Sequence, residues 1–235
     1  MKKLIIYMTL SAALAGTACT VNSKTYDVET RVIIDATDRL AAYPTADEII
    51  DPLNLKNYPW QGCKISCTYI SDLDVNTTTV FTLERQNEWS GNIVTRRAQI
   101  RSFTKKLQRC LSAMRPTESR QHSIIYRTIA RQCNQLAAST AKKRYCLVFS
   151  DLMENSTTMN FYRPETTNKL HKDPRPIQRR LEQAVPVTSL RGLDVWLLYS
   201  PGSYHANNTY MDVAEFYQGL LSGHGAAVHI ANRFQ

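Results

Sequence analysis

Two stretches of this 235-residue chain end an apolar run in an acid. In the first, Val32-Ile33-Ile34 leads into Asp35, with Thr37, Asp38 and Arg39 close behind. In the second, Tyr145-Cys146-Leu147-Val148-Phe149-Ser150 leads into Asp151. Each run reads as a buried strand, and the carboxyl ends of such strands in an open α/β sheet form the crevice where ligands bind. Parallel strands of this kind bring Asp35 and Asp151 to one rim. Two carboxylates there repel unless a cation lies between them. A hard divalent ion such as Mg²⁺ suits that need, because it takes oxygen ligands from carboxylates, hydroxyls and water.

The elements that must position these acids follow from periodicity. Arg31 to Asp35 is the first expected strand, and Leu40 to Leu53, interrupted by Pro44, a short or broken helix. Cys63 to Ile70 alternates, with Ile65, Cys67 and Tyr69 on one face, as a second strand. The turn Ser71-Asp72-Leu73-Asp74 leads into a third, Thr77 to Leu83, which is therefore antiparallel to it. Ile93 to Met114 carries a helical apolar stripe through Ile100, Phe103, Leu107 and Leu111 and stops at Pro116. Ser123 to Ser139 is a second long helix, with Ile125, Ile129, Cys133 and Leu136 inward.

Beyond Asp151, the polar and proline-bearing stretch from Glu154 to Pro176 reads as a long surface loop. Ile177 to Val185 is a short helix, Leu193 to Tyr199 a fifth strand, Met211 to Ser222 a final helix, and Ala227 to Ile230 the last strand. Strands alternating with helices predict an α/β fold: a doubly wound, mostly parallel sheet with helices on both faces and one antiparallel strand.

Residues 1–18 combine Lys2 and Lys3, the apolar run Leu4 to Leu14 and the small residues Ala15-Gly16-Thr17-Ala18, which is the pattern of a secretory signal peptide. The run is shorter than the roughly 20 residues a permanent membrane span needs. Small residues directly before Cys19 resemble a bacterial lipobox, which implies a lipidated Cys19, a polar tether over residues 19–30 and a single domain over 31–235. Removing Lys2 and Lys3 takes the formal charge from +9 to +7, and the remaining basic residues are spread over helical segments. That distribution reads as solvated helix faces, and no nucleic-acid partner is expected.

With these elements in this order, the chain resembles the von Willebrand factor type A family. The metal-ion-dependent adhesion site of that family uses Asp-x-Ser-x-Ser after the first strand, a Thr or Ser opening a middle helix, and an Asp after the fourth strand. The resemblance assigns Asp35 as the first acid, Thr37 as the first hydroxyl, Ser123 (or Ser119) as the helix-opening hydroxyl and Asp151 as the later acid. It implies Mg²⁺ or Mn²⁺ as the ion and another protein at the envelope as the partner, whose acidic side chain completes the site.

Two residues depart from the pattern. Arg39 stands at the second motif serine, and Leu152 replaces the glycine that usually follows the later acid. An arginine at position 39 offers a bidentate cation that would bridge Asp35 and Asp151 in place of the metal. The two occupants, ion or guanidinium, are open alternatives.

Enzymatic motifs are missing from the sequence: no Gly-x-Ser-x-Gly elbow, no phosphate-binding Gly-x-x-x-x-Gly-Lys and no His-Glu-x-x-His. The leading expectation is a non-enzymatic protein-binding lipoprotein of the bacterial envelope. One alternative is a metal-dependent hydrolase that uses Asp35 and Asp151 to activate water. Another is an accessory lipoprotein of a secretion or mobile-element assembly with a vestigial metal site. Cys63, Cys67, Cys110, Cys133 and Cys146 lack metal-type spacing and read mostly as buried thiols. Glu154-Asn155-Ser156 is expected to shape a partner surface, and Tyr162, Tyr204 and Tyr210 fall in expected loops, either as interface anchors or as isolated exposed tyrosines.

Overall fold

The central strand β1 (Val28–Asp35) is buried at seven of its eight positions. A strand covered on both faces cannot alternate with polar residues, which explains its continuous Val-Ile-Ile run. The structure, a computed structural model, describes residues 25–35, 37, 43–70, 76–115, 122–200 and 204–235, without the side chains of 204–207. The other strands are β2 (Cys63–Ile70), β3 (Thr78–Leu83), β4 (Lys143–Phe149), β5 (Asp194–Leu198) and β6 (Ala227–Ala231). They form one sheet in the order β3-β2-β1-β4-β5-β6. Only the β2–β3 pair is antiparallel, as the short connection between them predicts.

The chain runs outward from β1 through β2 and β3, then returns to the other side of β1 and runs outward through β4, β5 and β6. The reversal lies between β1 and β4, where open α/β sheets leave a crevice. One face is covered by α1 (Ala46–Ile50) and α2 (Ile93–Ala113), where Val32, Ile34 and Ile65 pack with Ile49, Phe103, Leu107 and Leu111. The opposite face carries α3 (Ile125–Ala137), α4 (Pro164–Lys172), α5 (Arg175–Ala184) and α6 (Tyr204–Gly223). There Ile33, Val148 and Val195 meet Ile129, Leu181, Val213 and Tyr217. The doubly wound α/β fold expected from the sequence is the observed one.

Among the described residues, the six strands and both apolar cores lie between Val28 and Phe234. Among the described residues no helix is long and apolar enough to cross a membrane.

The structure corrects four expectations. β1 begins at Val28, so the last three residues assigned to the tether are strand; their Val-Glu-Thr sequence hides this because Glu29 is buried in an ion network. The expected loop after Glu154 contains α4, opened by Pro164 at its first turn, and it buries Phe161 and Leu170. The last helix starts at Tyr204, ahead of Met211; the His-Ala-Asn-Asn-Thr run that opens it has weak intrinsic helix preference. Tyr210 therefore lies in a helix and is 3% exposed, an inward residue and no interface anchor. The turn expected at 71–74, Pro116 and the start of the expected 40–53 helix fall outside the described residues; within that helix, α1 is followed by a 3-10 turn, Asp51–Leu53.

Candidate functional site

β1 and β4 pair in register through Ile34 and Phe149, so the next residues, Asp35 and Ser150, leave the sheet side by side. Asp35 is 1% exposed and Ser150 fully buried. Thr37 donates to Asp35 Oδ1 twice, from its backbone N at 2.9 Å and from Oγ1 at 2.5 Å. Ser150 Oγ donates to Oδ2 at 2.7 Å. Each carboxylate oxygen thus accepts a hydroxyl proton, which compensates the water lost on burial. The Tyr43 hydroxyl donates to the Asp35 carbonyl oxygen at 3.2 Å.

The same local device turns the chain at both strand ends. A short polar side chain accepts the backbone N–H two residues on: Asp35 from Thr37, Ser150 from Leu152 at 2.9 Å, and Asp151 from Met153 at 2.9 Å. Leu152, where the related motif has glycine, adopts φ 62°. The left-handed conformation that a glycine would supply is kept by a leucine, held by the Ser150 hydroxyl and by complete burial of its side chain.

Asp151 is half-buried beside Tyr210, whose phenol is pushed up by burial, by Tyr199 and by the Asp151 carboxylate. Asp151 lies two residues beyond the last register pair of β1 and β4, Ile34 with Phe149, and is preceded by an unexpected partner of Asp35. Ser150 is the group that touches Asp35, and its signal was its place directly after the apolar run.

Ser123 joins the loop after β4 through two backbone bonds with Asn155, at 2.9 and 3.0 Å. Its hydroxyl is buried and has no hydrogen-bond partner among the described residues. Directly after Ser123, α3 begins without a side-chain cap of its own. Glu154 supplies one from the other strand's loop: Oε2 accepts from Ile125 N at 2.8 Å and Tyr126 N at 2.7 Å. Glu154 is 1% exposed, so it is a structural carboxylate, and the partner-surface expectation for it does not hold. Burial pushes its carboxyl above the usual range, against the lowering effect of Ser156, the two N–H groups and Arg127. No local pattern betrayed this role, because the cap is 29 residues away from the helix it serves.

The four residues assigned to the ion, Asp35, Thr37, Ser123 and Asp151, offer only oxygen, which suits a hard cation. The orphaned, buried Ser123 hydroxyl is the observation that fits an additional ligand. Among the described residues no group of three or more His, Cys, Asp or Glu is placed to hold a metal, so any ion here would depend on hydroxyls and water. The described histidine ion pairs are elsewhere: His171 with Asp212 at 3.2 Å, His224 with Glu182 at 2.8 Å and His229 with Asp194 at 3.6 Å. Arg39, Ser119 and Cys19 lie outside the described residues. No protein-family model matches the chain, and comparison with curated proteins gives no match.

Proposed function

We propose that this chain is a non-enzymatic protein-binding module of the von Willebrand factor A kind, exported and anchored at the bacterial envelope through Cys19. Its partner docks on the rim around Asp35. The observation that carries the reading is the placement of a buried carboxylate, fixed by Thr37 and Ser150, at the reversal point of the sheet; Asp151 follows Ser150 directly in the chain, and the buried Ser123 hydroxyl has no hydrogen-bond partner among the described residues. Asp35, Thr37, Ser123 and Asp151 would hold Mg²⁺. When bound, the ion would supply positive charge for an acidic side chain of the partner. Thr37 and Ser150 orient the Asp35 carboxylate, and Leu152 keeps the adjoining turn in shape.

Isothermal titration of residues 25–235 with Mg²⁺ and Mn²⁺ tests the metal. Saturable heat that disappears in Asp35→Ala supports it, and heat unchanged by Asp35→Ala removes it. Capture of envelope proteins by the full chain tests the rim: partners lost both in EDTA and in Asp35→Ala support the whole reading.

The hydroxyls on Asp35 favour one other reading. Because Thr37 and Ser150 already serve both carboxylate oxygens, the rim holds its shape without an ion, as an accessory lipoprotein with a vestigial metal site would need. Partners retained in EDTA and lost in Asp35→Ala identify that case. Turnover of phosphate or ester substrates that vanishes in Asp151→Ala would replace both with the hydrolase.

A further inference from the structure

At the end of the sheet opposite Asp35, the amino ends of β1 and β4 open into a groove of about 1300 Å³. Its wall, residues 56–61, is held rigidly. Arg96, 1% exposed, donates Nε to the Pro59 carbonyl at 2.6 Å and Nη2 to that of Gln61 at 2.8 Å. Gln86 N donates to the Trp60 carbonyl at 3.0 Å. The Trp60 ring lies so close to Gly91 that a Cβ there would meet it at 2.4 Å.

The groove and its edge expose large apolar side chains. Of the six large hydrophobic side chains exposed among the described residues, three line the groove, Trp89 (97%), Tyr58 (60%) and Ile93 (37%), and a fourth, Val94 (71%), follows Ile93 in the chain. Clustering of this kind marks an interaction surface, unlike single exposed residues. Around it, Lys56, Arg85, Lys142 and Lys143 outnumber Asp27 and Glu88. Arg85 and Lys142 reach Asp27 at 3.3 and 3.8 Å while their side chains stay 63% and 75% exposed.

We propose that this end of the fold docks on an anionic phospholipid bilayer. Trp89 and Tyr58 sit at the headgroup boundary, where amphipathic rings are favoured. Ile93 and Val94, in the first turn of α2, enter the acyl edge. The four cations lie against lipid phosphates. One further argument rests on the anchor reading of Cys19. Five residues separate Cys19 from Thr25, a reach of about 20 Å at most over the six steps, and the chain enters the sheet at this end, with Asp27 N on the Gly62 carbonyl at 3.0 Å. An anchored chain therefore keeps this face at the bilayer. The eight residues of β1 place the Asp35 rim roughly 25 Å farther out, facing the partner.

Flotation of residues 25–235 with vesicles of phosphatidylglycerol and phosphatidylethanolamine, against phosphatidylcholine alone, tests the docking without any lipid on Cys19. The expected result is flotation with the anionic vesicles only, weakened by salt. Arg85→Glu with Lys143→Glu should reduce partitioning by about tenfold or more, and Trp89→Ala with Val94→Ser should do the same. All four side chains are exposed, and an unchanged urea midpoint shows that the variants fold. Absence of flotation overturns the proposal; so does retention on lipid-free cell-wall glycan without flotation, which would make the groove a polysaccharide site. In the full chain, brominated lipids should quench a fluorescence component that Trp89→Phe removes. Acylated Cys19 without that quenching overturns docking and leaves the anchor standing. Vesicle binding by a chain whose Cys19 is not acylated supports docking and removes the anchor.

Discussion

The Ser150 hydroxyl donates to Asp35 Oδ2 across 2.7 Å and ties the ends of β4 and β1 together. Ser150→Ala takes a proton donor from a carboxylate that is 1% exposed. The expected cost is about 1–3 kcal/mol, read as a shift in the urea midpoint. Thr37→Val removes the donor on the other oxygen, and because the two share one carboxylate, the double variant should depart from additivity.

Glu154 gives a pH dependence of defined sign. Burial raises its carboxyl above the ordinary 4.5, so protonation favours the folded state. Its contribution is complete below 4.5 and is lost as pH rises through the raised value. Glu154→Gln keeps an acceptor for Ile125 and Tyr126 and removes the charge, so this slope should vanish in urea unfolding between roughly pH 4 and 8. Glu154→Ala leaves both N–H groups without their acceptor and should cost about 1–3 kcal/mol at every pH.

Glu29 should act in the opposite direction. Burial raises its carboxyl, but the Ser139 hydroxyl at 2.6 Å and the cations of Lys64 at 3.0 Å and Arg31 at 3.3 Å outweigh it and leave the group lowered. Its stabilisation is present above the ordinary 4.5 and is lost as pH falls through the lowered value. Glu29→Gln should flatten the acid limb of the stability curve, and Glu29→Ala should cost on the order of 3 kcal/mol at neutral pH.

Among the five described thiols, Cys110 should react first. A hydrogen bond from Cys67, opposed by burial and aided by Thr79, lowers it to about 7, while Cys67 is raised. Cys63, Cys67, Cys133 and Cys146 are buried. Iodoacetamide at pH 7 should label Cys110 ahead of the others, read by peptide mass, and Cys67→Ala should slow that labelling. Equal labelling of all five would contradict the pairing.

The sheet was readable from sequence because its signals are local: apolar runs such as Ile33-Ile34 and Leu147-Val148, and helical stripes such as Phe103, Leu107 and Leu111. The single antiparallel edge followed from the short connection before β3. Of the proposed site, Asp35 and Asp151 were visible as acids closing such runs, and Thr37 and Ser123 came through the family resemblance. The residues that went unread act at a distance. Glu154 caps a helix that precedes it by a whole strand, and Ser150 owes its role to register across β1. Glu29 looked like part of a polar tether because Lys64 and Ser139, which make its burial tolerable, belong to other elements. The lipid-facing groove escaped for the same reason, since Tyr58, Trp89 and Lys142 come from three separate connections.

Leu152 remains the most consequential single backbone position. A glycine at φ 62° would hold that turn by its own freedom, whereas a leucine holds it through the Ser150 hydroxyl on its N–H and the burial of its side chain in the core that contains Tyr126, Phe161 and Tyr217. The rim and the interior are therefore mechanically geared. Loosening the helices that grip Leu152 would let the turn relax to an ordinary conformation and carry Ser150 away from Asp35, so a disturbance deep in the core would be felt at the end of β1.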